Sequence, residues 1–484
     1  MADAQWWCEQ NRHRPYRTND TIKFTPLFGC GEVKLQTTTK AVTPFAGMAS
    51  FFAWLGALEF PKRAAEVMPF EYRSPNTIAP EQTLLAFISA VVVGASRFAH
   101  TGWLRHDKAF HALLGVERFP GEDAIRRFFH RFTQARIEAF WRPLWKWMLE
   151  LMEAPRAGFS LDLDSTVFSR EGNQQGAAKG YNPRRAGRKS HHPILAVLAE
   201  MPFVLHTWLR PGNTGAGRDV VEFLKEALKI LPVGLKIRCV RADSGFFDQK
   251  LLGFLEERGL SYIVVARLAG PLKGVLSGIR QWTVVEGGYE VSELRIKLAS
   301  WNVERRFVVL RERIREGKDA VGRKLLDVPG YTYRVWVTSR TESAVEIWRD
   351  YNGRATVEQR IEEMKNDLHA DGFCTKAFFA TEAAFLGVVL SYNLLSLYQA
   401  QVTRQSGYRK PSTMRAAVFV GGAILGRKGR DAVVRFSESW GGLKKHIPLI
   451  QQALKTGNPI APLLARPPTP EEKWSELACG GCLI

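Results

Sequence analysis

The stretch Phe159–Phe168, FSLDLDSTVF, decides the fold prediction. Its apolar and polar residues alternate, which is typical of a strand with one face toward a core. Asp162 and Asp164 therefore share one face of this strand, while Leu161 and Leu163 share the other. Because the sequence before this stretch has helical periodicity, the strand marks the start of a different domain.

Further strand and helix patterns follow the first strand. The runs HHPILAVLAE and FVLHTWLR are β-rich, VVEFLKEALKIL is helical, IRCVRADSGF is a strand ending near Asp243, QKLLGFLEERG is helical, and SYIVVARL is another strand. This order predicts a mixed α/β sheet with helices packed against it. Between about residues 270 and 339, strand patterns with turn signals and no long helix predict a β-rich insertion.

The flanking sequence completes the predicted domain organisation. Residues 1–43 are polar and mixed, and we expect an irregular arm. Residues 44–155 carry apolar positions at helical spacing, interrupted by Pro and Gly, and predict a helical domain. Residues 156–375 hold the α/β domain with its insertion, and residues 376–484 are predicted to be a helical C-terminal region.

Composition and charge narrow the class of protein. Of 484 residues, 45% are hydrophobic, which allows a large core, and 68 Lys and Arg against 48 Asp and Glu give a net charge of +20. Such an excess argues against an enzyme for small neutral substrates and favours a polyanionic partner such as nucleic acid.

The cysteines, the apolar stretches and the N-terminal sequence indicate where in the cell the protein is expected to be. The longest apolar stretch, Leu84–Ala95, is shorter than the roughly 20 residues of a membrane span. The N-terminus has no export-signal pattern, and the six cysteines form no disulfide framework. Cys479 and Cys482 form one CxxC without a second ligand pair, so we interpret them as incidental. We therefore expect a cytoplasmic protein at the bacterial nucleoid, without a membrane partner.

Acidic residues on separate elements could meet in one site. Asp164 and Asp243 lie at strand ends, where ligands of such sheets bind. The run AVEIWRDYNGRATVEQRIEEMKND predicts one long helix that carries a stripe of polar residues roughly 60° wide. The stripe consists of Tyr351, Arg354, Glu358 and Lys365. Glu362 lies on the same face, so geometry alone leaves both glutamates open as a third acid.

Carboxylates drawn from two strands and a helix suit Mg²⁺, which prefers hard oxygen ligands and can be completed by phosphate oxygens. Two such ions could activate a nucleophile and stabilise the leaving oxygen of a phosphodiester. The alternative is that these acids are ordinary solvated or arginine-paired residues.

The spacing Y-x2-R-x3-E-x6-K, formed by Tyr351, Arg354, Glu358 and Lys365, resembles that of DDE-type insertion-sequence transposases with a Tyr-Arg-Glu-Lys signature, in DDE domain group 1. Thr166, two residues after Asp164, also fits this family. The resemblance implies an RNase H-like core over about residues 159–375 and favours Glu358 over Glu362. It further implies that two Mg²⁺ ions, or Mn²⁺ as a substitute, bind Asp164, Asp243 and Glu358. Tyr351, Arg354 and Lys365 would hold the DNA backbone.

Basic segments extend the expected DNA path. One is interpreted as a mobile loop near the first Asp, with a solvated loop as the alternative; its cations are Lys179, Arg184, Arg185, Arg188 and Lys189. Residues 403–430 are also basic and contain no acid. Such cations neutralise phosphates without specifying sequence.

Two further features concern DNA more indirectly. A predicted helix over residues 122–136 could read a major groove or be a solvated face; its cations are Arg126, Arg127, Arg131 and Arg136. Three tryptophans of the β-rich insertion, Trp282, Trp301 and Trp336, could stack on a flipped base during a hairpin step, although packing within the sheet is the favoured interpretation.

The combined expectation is a DNA transposase. It would bind the terminal inverted repeats of its element through the helical domain of residues 44–155, cut there, and join the ends to target DNA. Since two ends must be held together, we expect a homodimer in the synaptic complex. The alternatives are an RNase H-like nuclease without strand transfer and a non-catalytic, transposase-derived DNA-binding protein.

Overall fold

The structure is a computed structural model that describes residues 22–28, 31–74, 76–183, 185–285, 288–314, 323–325, 328–403 and 407–456. Arg184, Cys479 and Cys482 lie outside the described residues.

Eighteen strands are described. In chain order they are β1 (Ile22–Phe24), β2 (Val33–Leu35), β3 (Val42–Thr43), β4 (Phe159–Ser165), β5 (Phe168–Ser169), β6 (Ala178–Lys179), β7 (Lys189–His191), β8 (Ile194–Leu198), β9 (Phe203–Trp208), β10 (Ile237–Ala242), β11 (Ser261–Val265), β12 (Thr283–Val285), β13 (Tyr289–Ile296), β14 (Arg305–Arg313), β15 (Arg323–Leu325), β16 (Val328–Thr338), β17 (Ala423–Lys428) and β18 (Asp431–Phe436).

The α-helices lie before, between and after these strands. They are α1 (Met48–Ala57), α2 (Phe60–Glu66), α3 (Pro80–Val93), α4 (Lys108–Leu114), α5 (Glu122–Phe129), α6 (Gln134–Glu150), α7 (Val220–Ile230), α8 (Gln249–Glu257), α9 (Gly270–Ser277), α10 (Ala344–Asn352), α11 (Ala355–Glu362), α12 (Phe378–Tyr398), α13 (Pro411–Met414) and α14 (Gly442–Leu454). Short 3₁₀ segments cover Phe98–His106 and Ser244–Phe246, and π-turns cover Glu363–Asp367, Gln399–Thr403 and Arg415–Phe419.

A 10-stranded mixed sheet forms the centre of the molecule, in the order β12-β13-β14-β16-β11-β10-β4-β8-β9, with β15 paired to β16. The strand β4 is parallel to β10, and β10 is parallel to β11, whereas β4 is antiparallel to β8 and β8 to β9. Both faces of β4 are buried, since helices cover the sheet. The predicted RNase H-like mixed α/β fold is confirmed.

The segment predicted as a β-rich insertion continues the central sheet. Its last strand, β16, pairs antiparallel with β11 through Val264 and Val337, and β14 and β13 follow outward. The short helix α9 also falls within this segment. The insertion is therefore attached to the core through backbone hydrogen bonds.

The N-terminal and C-terminal helical regions pack on each other. Trp54 of α1 donates its indole N–H to Gln401 at 2.8 Å, and the Ser50 hydroxyl lies 2.6 Å from that of Tyr398. The run Phe378–Thr403 is long and apolar enough to cross a membrane, yet 89% of its most apolar window is buried inside the protein. It is packed as a core helix.

One side chain of α12 covers the edge of the central sheet. Asn393 accepts a hydrogen bond from the Val204 N–H and donates one to the Val204 carbonyl, each at 2.9 Å. β9 is the last strand of the sheet, and on this side the Val204 carbonyl also accepts the Trp145 indole N–H at 2.9 Å, so the Val204 N–H is the group that depends on Asn393. The C-terminal region thus completes the sheet that carries the first Asp.

Two predicted helices are interrupted in the structure. The helix predicted over residues 344–367 is broken after Asn352, where the Gly353 and Arg354 N–H groups bond to carbonyls three residues back, at 3.2 and 2.9 Å. The segment 122–136 is two helices, α5 and α6, with a break between Phe129 and Gln134.

The C-terminal region, predicted to be helical, contains helices and also the strands β17 and β18, which form an antiparallel hairpin. This hairpin pairs through β17 with β3, so residues expected in the irregular N-terminal arm contribute a strand. The strands β1 and β2 also pair with each other. The strands at both ends of the chain lacked a long alternating pattern that could have indicated them.

Candidate active site

The two predicted aspartates lie side by side at one edge of the sheet. Asp164 is near the end of β4, and Asp243 directly follows β10. The parallel register pairs Leu163 with Ala242, so the next residues on both strands are these two acids. Because parallel strands end at the same edge, their carboxylates project into one crevice.

Gly245 allows the chain to turn sharply after Asp243. Its N–H donates to the Asp243 Oδ1 at 2.9 Å, which fixes that carboxylate. A Cβ at Gly245 would lie 2.8 Å from the Ala216 Cβ and 3.0 Å from Asp243 Oδ1. A side chain at this position would therefore displace the second acid.

Glu358 acts on the same site from α11. Burial is the main reason that the pKa of Asp164 is raised to about 6, and the neighbouring carboxylates of Asp243 and Glu358 contribute to the rise. The Arg354 guanidinium and a hydrogen bond from the Ser165 N–H, 2.7 Å from Asp164 Oδ1, oppose this rise. The structure therefore brings Asp243 and Glu358 within electrostatic range of Asp164.

Arg354 is buried and faces Asp164. Its Nη2 donates to the Leu163 carbonyl at 2.9 Å and lies 3.2 Å from Asp164 Oδ2. Only 5% of Arg354 is exposed, so in this arrangement its guanidinium offers no surface to a DNA backbone. The sequence interpretation placed Arg354 on DNA, whereas here it neutralises a buried carboxylate.

Tyr351 is a largely buried phenol near the acids. Its ring packs against that of Trp336, with centroids 5.5 Å apart. Burial raises the pKa of Tyr351 to about 12, and the carboxylates of Asp243, Asp162 and Asp164 contribute to the rise. The phenol therefore stays protonated at neutral pH and can donate a hydrogen bond.

Lys365 reaches the loop after β4 from the π-turn that follows α11. Its Nζ donates to the Thr166 hydroxyl at 3.3 Å and to the Val167 carbonyl at 3.2 Å. Three residues of the sequence motif, Arg354, Glu358 and Lys365, thus act on the carboxyl end of one strand. The break at Gly353 does not separate them.

The donor set has the chemistry of a divalent-ion site. Three carboxylates supply hard oxygen ligands, and the raised pKa of Asp164 reflects their mutual repulsion together with burial. In the described part of the chain, however, no group of three His, Cys, Asp or Glu side chains is arranged to hold an ion. The residues fit such an ion by type and charge, and Arg354 occupies one oxygen of Asp164 in this arrangement.

Two features near the site were missed by the sequence analysis. His192 donates from Nδ1 to the Thr214 carbonyl at 2.7 Å, which leaves its Nε2 to accept from the Ser165 hydroxyl at 3.1 Å. Ser165 in turn binds Asp164 through its N–H. The doublet of adjacent histidines before β8 was visible in the sequence, but a histidine beside a strand carries no specific signal.

The second missed feature is a buried ion-pair network under the site. Arg241 donates from Nε and Nη2 to both oxygens of Asp162, at 2.6 and 2.8 Å, and from Nη1 to Asp350. Arg238 and Arg340 also bind Asp350. Asp162, which shares a face with Asp164, therefore links β4 to β10 and to α10.

The predicted basic loop is partly a small sheet. The strands β5, β7 and β6 form it in that order. Arg185 and Arg188 both pair with Glu171, at 3.1 and 2.6 Å, and Lys189 donates to Asn173 at 3.0 Å. Lys179 is exposed at the end of β6. Exposed pairs of this kind are weak and can exchange for phosphate.

Two arginines of the segment 122–136, Arg126 and Arg131, contact aromatic rings. Arg126 binds Glu122 and lies 4.7 Å from the Phe98 ring centroid, and Arg131 lies 4.9 Å from that of Tyr72. Arg127, also on α5, is exposed. Arg136 donates to the Arg131 carbonyl.

The tryptophans of the insertion pack within the protein. Trp336 is fully buried, Trp301 stacks on Phe307 at 5.7 Å, and Trp282 lies under the Arg311 guanidinium at 4.0 Å. Packing therefore accounts for the buried Trp301 and Trp336, while Trp282 is half-buried.

Comparisons with known proteins identify the family of the chain. No curated protein matches the chain significantly. A solved structure titled as the cryo-EM structure of a piggyBac transposase synaptic complex with hairpin DNA is similar to it, with a TM-score of 0.43 and 12% identity over 79% of this chain and 82% of that chain. The family profile described as transposase DDE domain group 1 matches residues 26–455, which is most of the sequence. The chain therefore belongs to the transposase DDE domain group 1 family.

Proposed function

We propose that this DNA transposase binds the terminal inverted repeats of its own element and catalyses Mg²⁺-dependent cleavage and strand transfer through Asp164, Asp243 and Glu358. Phosphodiester hydrolysis and transesterification are the general activities of its family. The observation that carries the proposal is the meeting of Asp164 and Asp243 on adjacent parallel strands, with Glu358 acting electrostatically on the same crevice.

The three carboxylates would hold the divalent ions. When bound, such ions supply activation of the attacking hydroxyl and charge stabilisation of the leaving oxygen. Mn²⁺ would serve as a substitute. Before loading, Arg354 neutralises Asp164 and keeps this buried carboxylate within reach of its partners.

The remaining motif residues would position DNA. Lys365 sits at the end of β4, where its ammonium can approach a phosphate beside the acids. The protonated Tyr351 phenol can donate to a phosphate oxygen. Lys179, Arg185, Arg188 and Lys189 would extend the contact along the backbone by exchanging their surface partners for phosphates.

The assembly completes the proposal. Two element ends must be joined in one event, so a homodimer would form the synaptic complex. The protein would act at the bacterial nucleoid, where its DNA substrate lies.

The test is cleavage of DNA that carries one element end. Inverted repeats bracketing the coding region supply the duplex, and purified protein with Mg²⁺ should nick it and join the 3′ end to a target strand. The substitutions Asp164→Ala, Asp243→Ala and Glu358→Ala should each abolish cleavage while DNA binding is retained.

Glu362→Ala is the matched control, because Glu362 is exposed one turn after Glu358 on the same face. Loss of cleavage in this variant, with activity retained in Glu358→Ala, would reassign the third acid. Nicking without strand transfer would identify a nuclease. Uncleaved DNA bound by folded protein, with binding insensitive to a chelator, would identify a non-catalytic DNA-binding protein.

A further inference from the structure

The hairpin of β17 and β18, with its turn Gly429–Arg430, carries exposed cations; we name it the basic hairpin. Its register pairs Lys428 with Asp431, so only two residues form the turn. Gly429 has a φ of 62°, which a glycine at the first central position of such a turn adopts without strain. A short turn of this type holds the tip in a defined shape.

The cations of the basic hairpin are exposed and lack protein partners. They are Arg427, Lys428, Arg430 and Arg435. Within the described ranges, none of the four forms an ion pair or a side-chain hydrogen bond. Asp431 is the only acid between residues 423 and 436, and it forms no ion pair with the opposite Lys428 in this part of the chain.

Several other arginines, in contrast, pair with carboxylates of the protein. Arg185 and Arg188 share Glu171, Arg126 binds Glu122, and Arg306 binds Glu293. Those arginines pair with carboxylates of the protein itself. In the described part of the chain, the cations of the basic hairpin pair with none.

The base of the basic hairpin is fixed while its tip projects. Ala423 and Ile424 pair with Thr43 and Val42 of β3. Phe436 packs against the His446 ring of α14, with centroids 5.4 Å apart. Toward the tip, every residue from Arg427 to Ala432 is exposed. The hairpin is therefore a supported, two-stranded projection with a cationic end.

We propose that the basic hairpin binds duplex DNA, with its tip in a groove and its cations on the flanking phosphates. A two-stranded ribbon fits the major groove of B-form DNA, and cations on it neutralise the backbone on both sides. This inference rests on the proposed function, since it assigns a contact surface to a protein that acts on DNA.

The test compares two triple variants with the same loss of charge. Arg427→Gln, Lys428→Gln and Arg430→Gln together remove the tip cations. Lys229→Gln, Lys236→Gln and Lys250→Gln remove three exposed lysines from α7, the loop before β10 and α8. Binding of fluorescent duplex is measured by anisotropy at several salt concentrations, with full-length protein and without divalent ions.

Each phosphate contact contributes about 0.9 to the slope of log affinity against log salt. The tip variant should therefore lower that slope by roughly 3 and bind at least tenfold more weakly at low salt, whereas the control variant should match the wild type. Arg427→Lys with Arg430→Lys, which preserves charge, should restore the slope. Circular dichroism melting verifies that both triple variants are folded.

Equal slopes and affinities for the tip variant and the control would overturn the proposal, because the hairpin would then contact no phosphate. The proposal would also be overturned if the tip variant and the control variant lost the same amount of affinity, because that loss would reflect only the lower net charge of the protein. A wild-type protein that binds no DNA at all would instead refute the proposed function itself.

Discussion

Asp164→Asn should change the pH dependence of folding stability in a defined direction. Burial and the neighbouring carboxylates raise the pKa of Asp164 to about 6, against 3.8 for an unperturbed Asp. The folded state therefore holds this proton more tightly than the unfolded state does. The stability that Asp164 contributes is complete below about pH 4 and is lost as the pH rises through about 6.

The size of the change in unfolding free energy follows from the difference between a pKa of 3.8 and one of about 6. At about 1.4 kcal/mol for each pH unit, ionising Asp164 costs the folded state roughly 3 kcal/mol at pH 8. Asn cannot ionise, so the variant avoids this cost. The free energy of unfolding of Asp164→Asn relative to wild type should thus rise by about 3 kcal/mol between pH 4 and pH 8. Any constant effect of the amide on Arg354 cancels in this comparison.

The assay is urea denaturation of both proteins at pH 4, 6 and 8. Glu382→Gln is the control, because burial raises the pKa of Glu382 to about 7 at a site on α12. Both variants should gain stability at high pH. Only wild type and Glu382→Gln should be further stabilised by Mg²⁺ at pH 8, because only they retain the Asp164 carboxylate.

A difference between Asp164→Asn and wild type that stays constant from pH 4 to pH 8 would refute the reasoning. It would show that Asp164 titrates normally, as it would if the carboxylate were solvated rather than buried among other acids.

Two further predictions concern residues that support the site. Gly245→Ala should lower the rate of DNA cleavage by about a hundredfold with DNA binding retained, because the new methyl group displaces Asp243. Gly253→Ala is the control, because a Cβ at Gly253 meets open space. Equal cleavage activity in the two variants would contradict the steric argument. Arg241→Met should cost about 3–5 kcal/mol of stability in urea denaturation, because Asp162 is left buried and unpaired. Asp162→Leu combined with Arg241→Met should recover most of that loss, and a double variant as unstable as the single one would show that the pair is not the cause.

The sequence predicted the parts of the fold that depend on local pattern. The alternation in residues 159–168 identified β4 and placed both aspartates on one face, because a strand has a period of two residues. The β-rich character of residues 270–339 was also readable. Its continuity with the central sheet was not, since pairing of β16 with β11 joins residues about seventy positions apart.

The broken helix shows a limit of periodicity. Gly353 and Arg354 both keep right-handed helical angles, with φ of −59° and −68°. The apolar and polar spacing therefore continues through the break, and only the hydrogen bonds change partners. Arg354, Glu358 and Lys365 of the predicted polar stripe still act on the end of β4 and the loop after it.

The role of Arg354 could not be read from its spacing. An arginine beside acids can bind phosphate or neutralise a carboxylate, and both uses have the same sequence pattern. Burial decides between them, and burial here depends on β4 lying beneath the helix. The basic character of residues 403–430 was readable, but the strands of the basic hairpin were missed for a related reason, since they are short and exposed and their support comes from β3, far away in the sequence.

Asn393 and Val204, which are hydrogen-bonded, lie 189 residues apart and are therefore synthesised at different times. The strand β9 is synthesised after Trp145, whose indole N–H donates to the Val204 carbonyl, but the Asn393 oxygen that accepts the Val204 N–H lies 189 residues later. Gene copies truncated before α12 would therefore encode chains with an open sheet edge and an uncovered helical core. Such truncated chains should aggregate or be degraded, so they would not accumulate beside the intact protein.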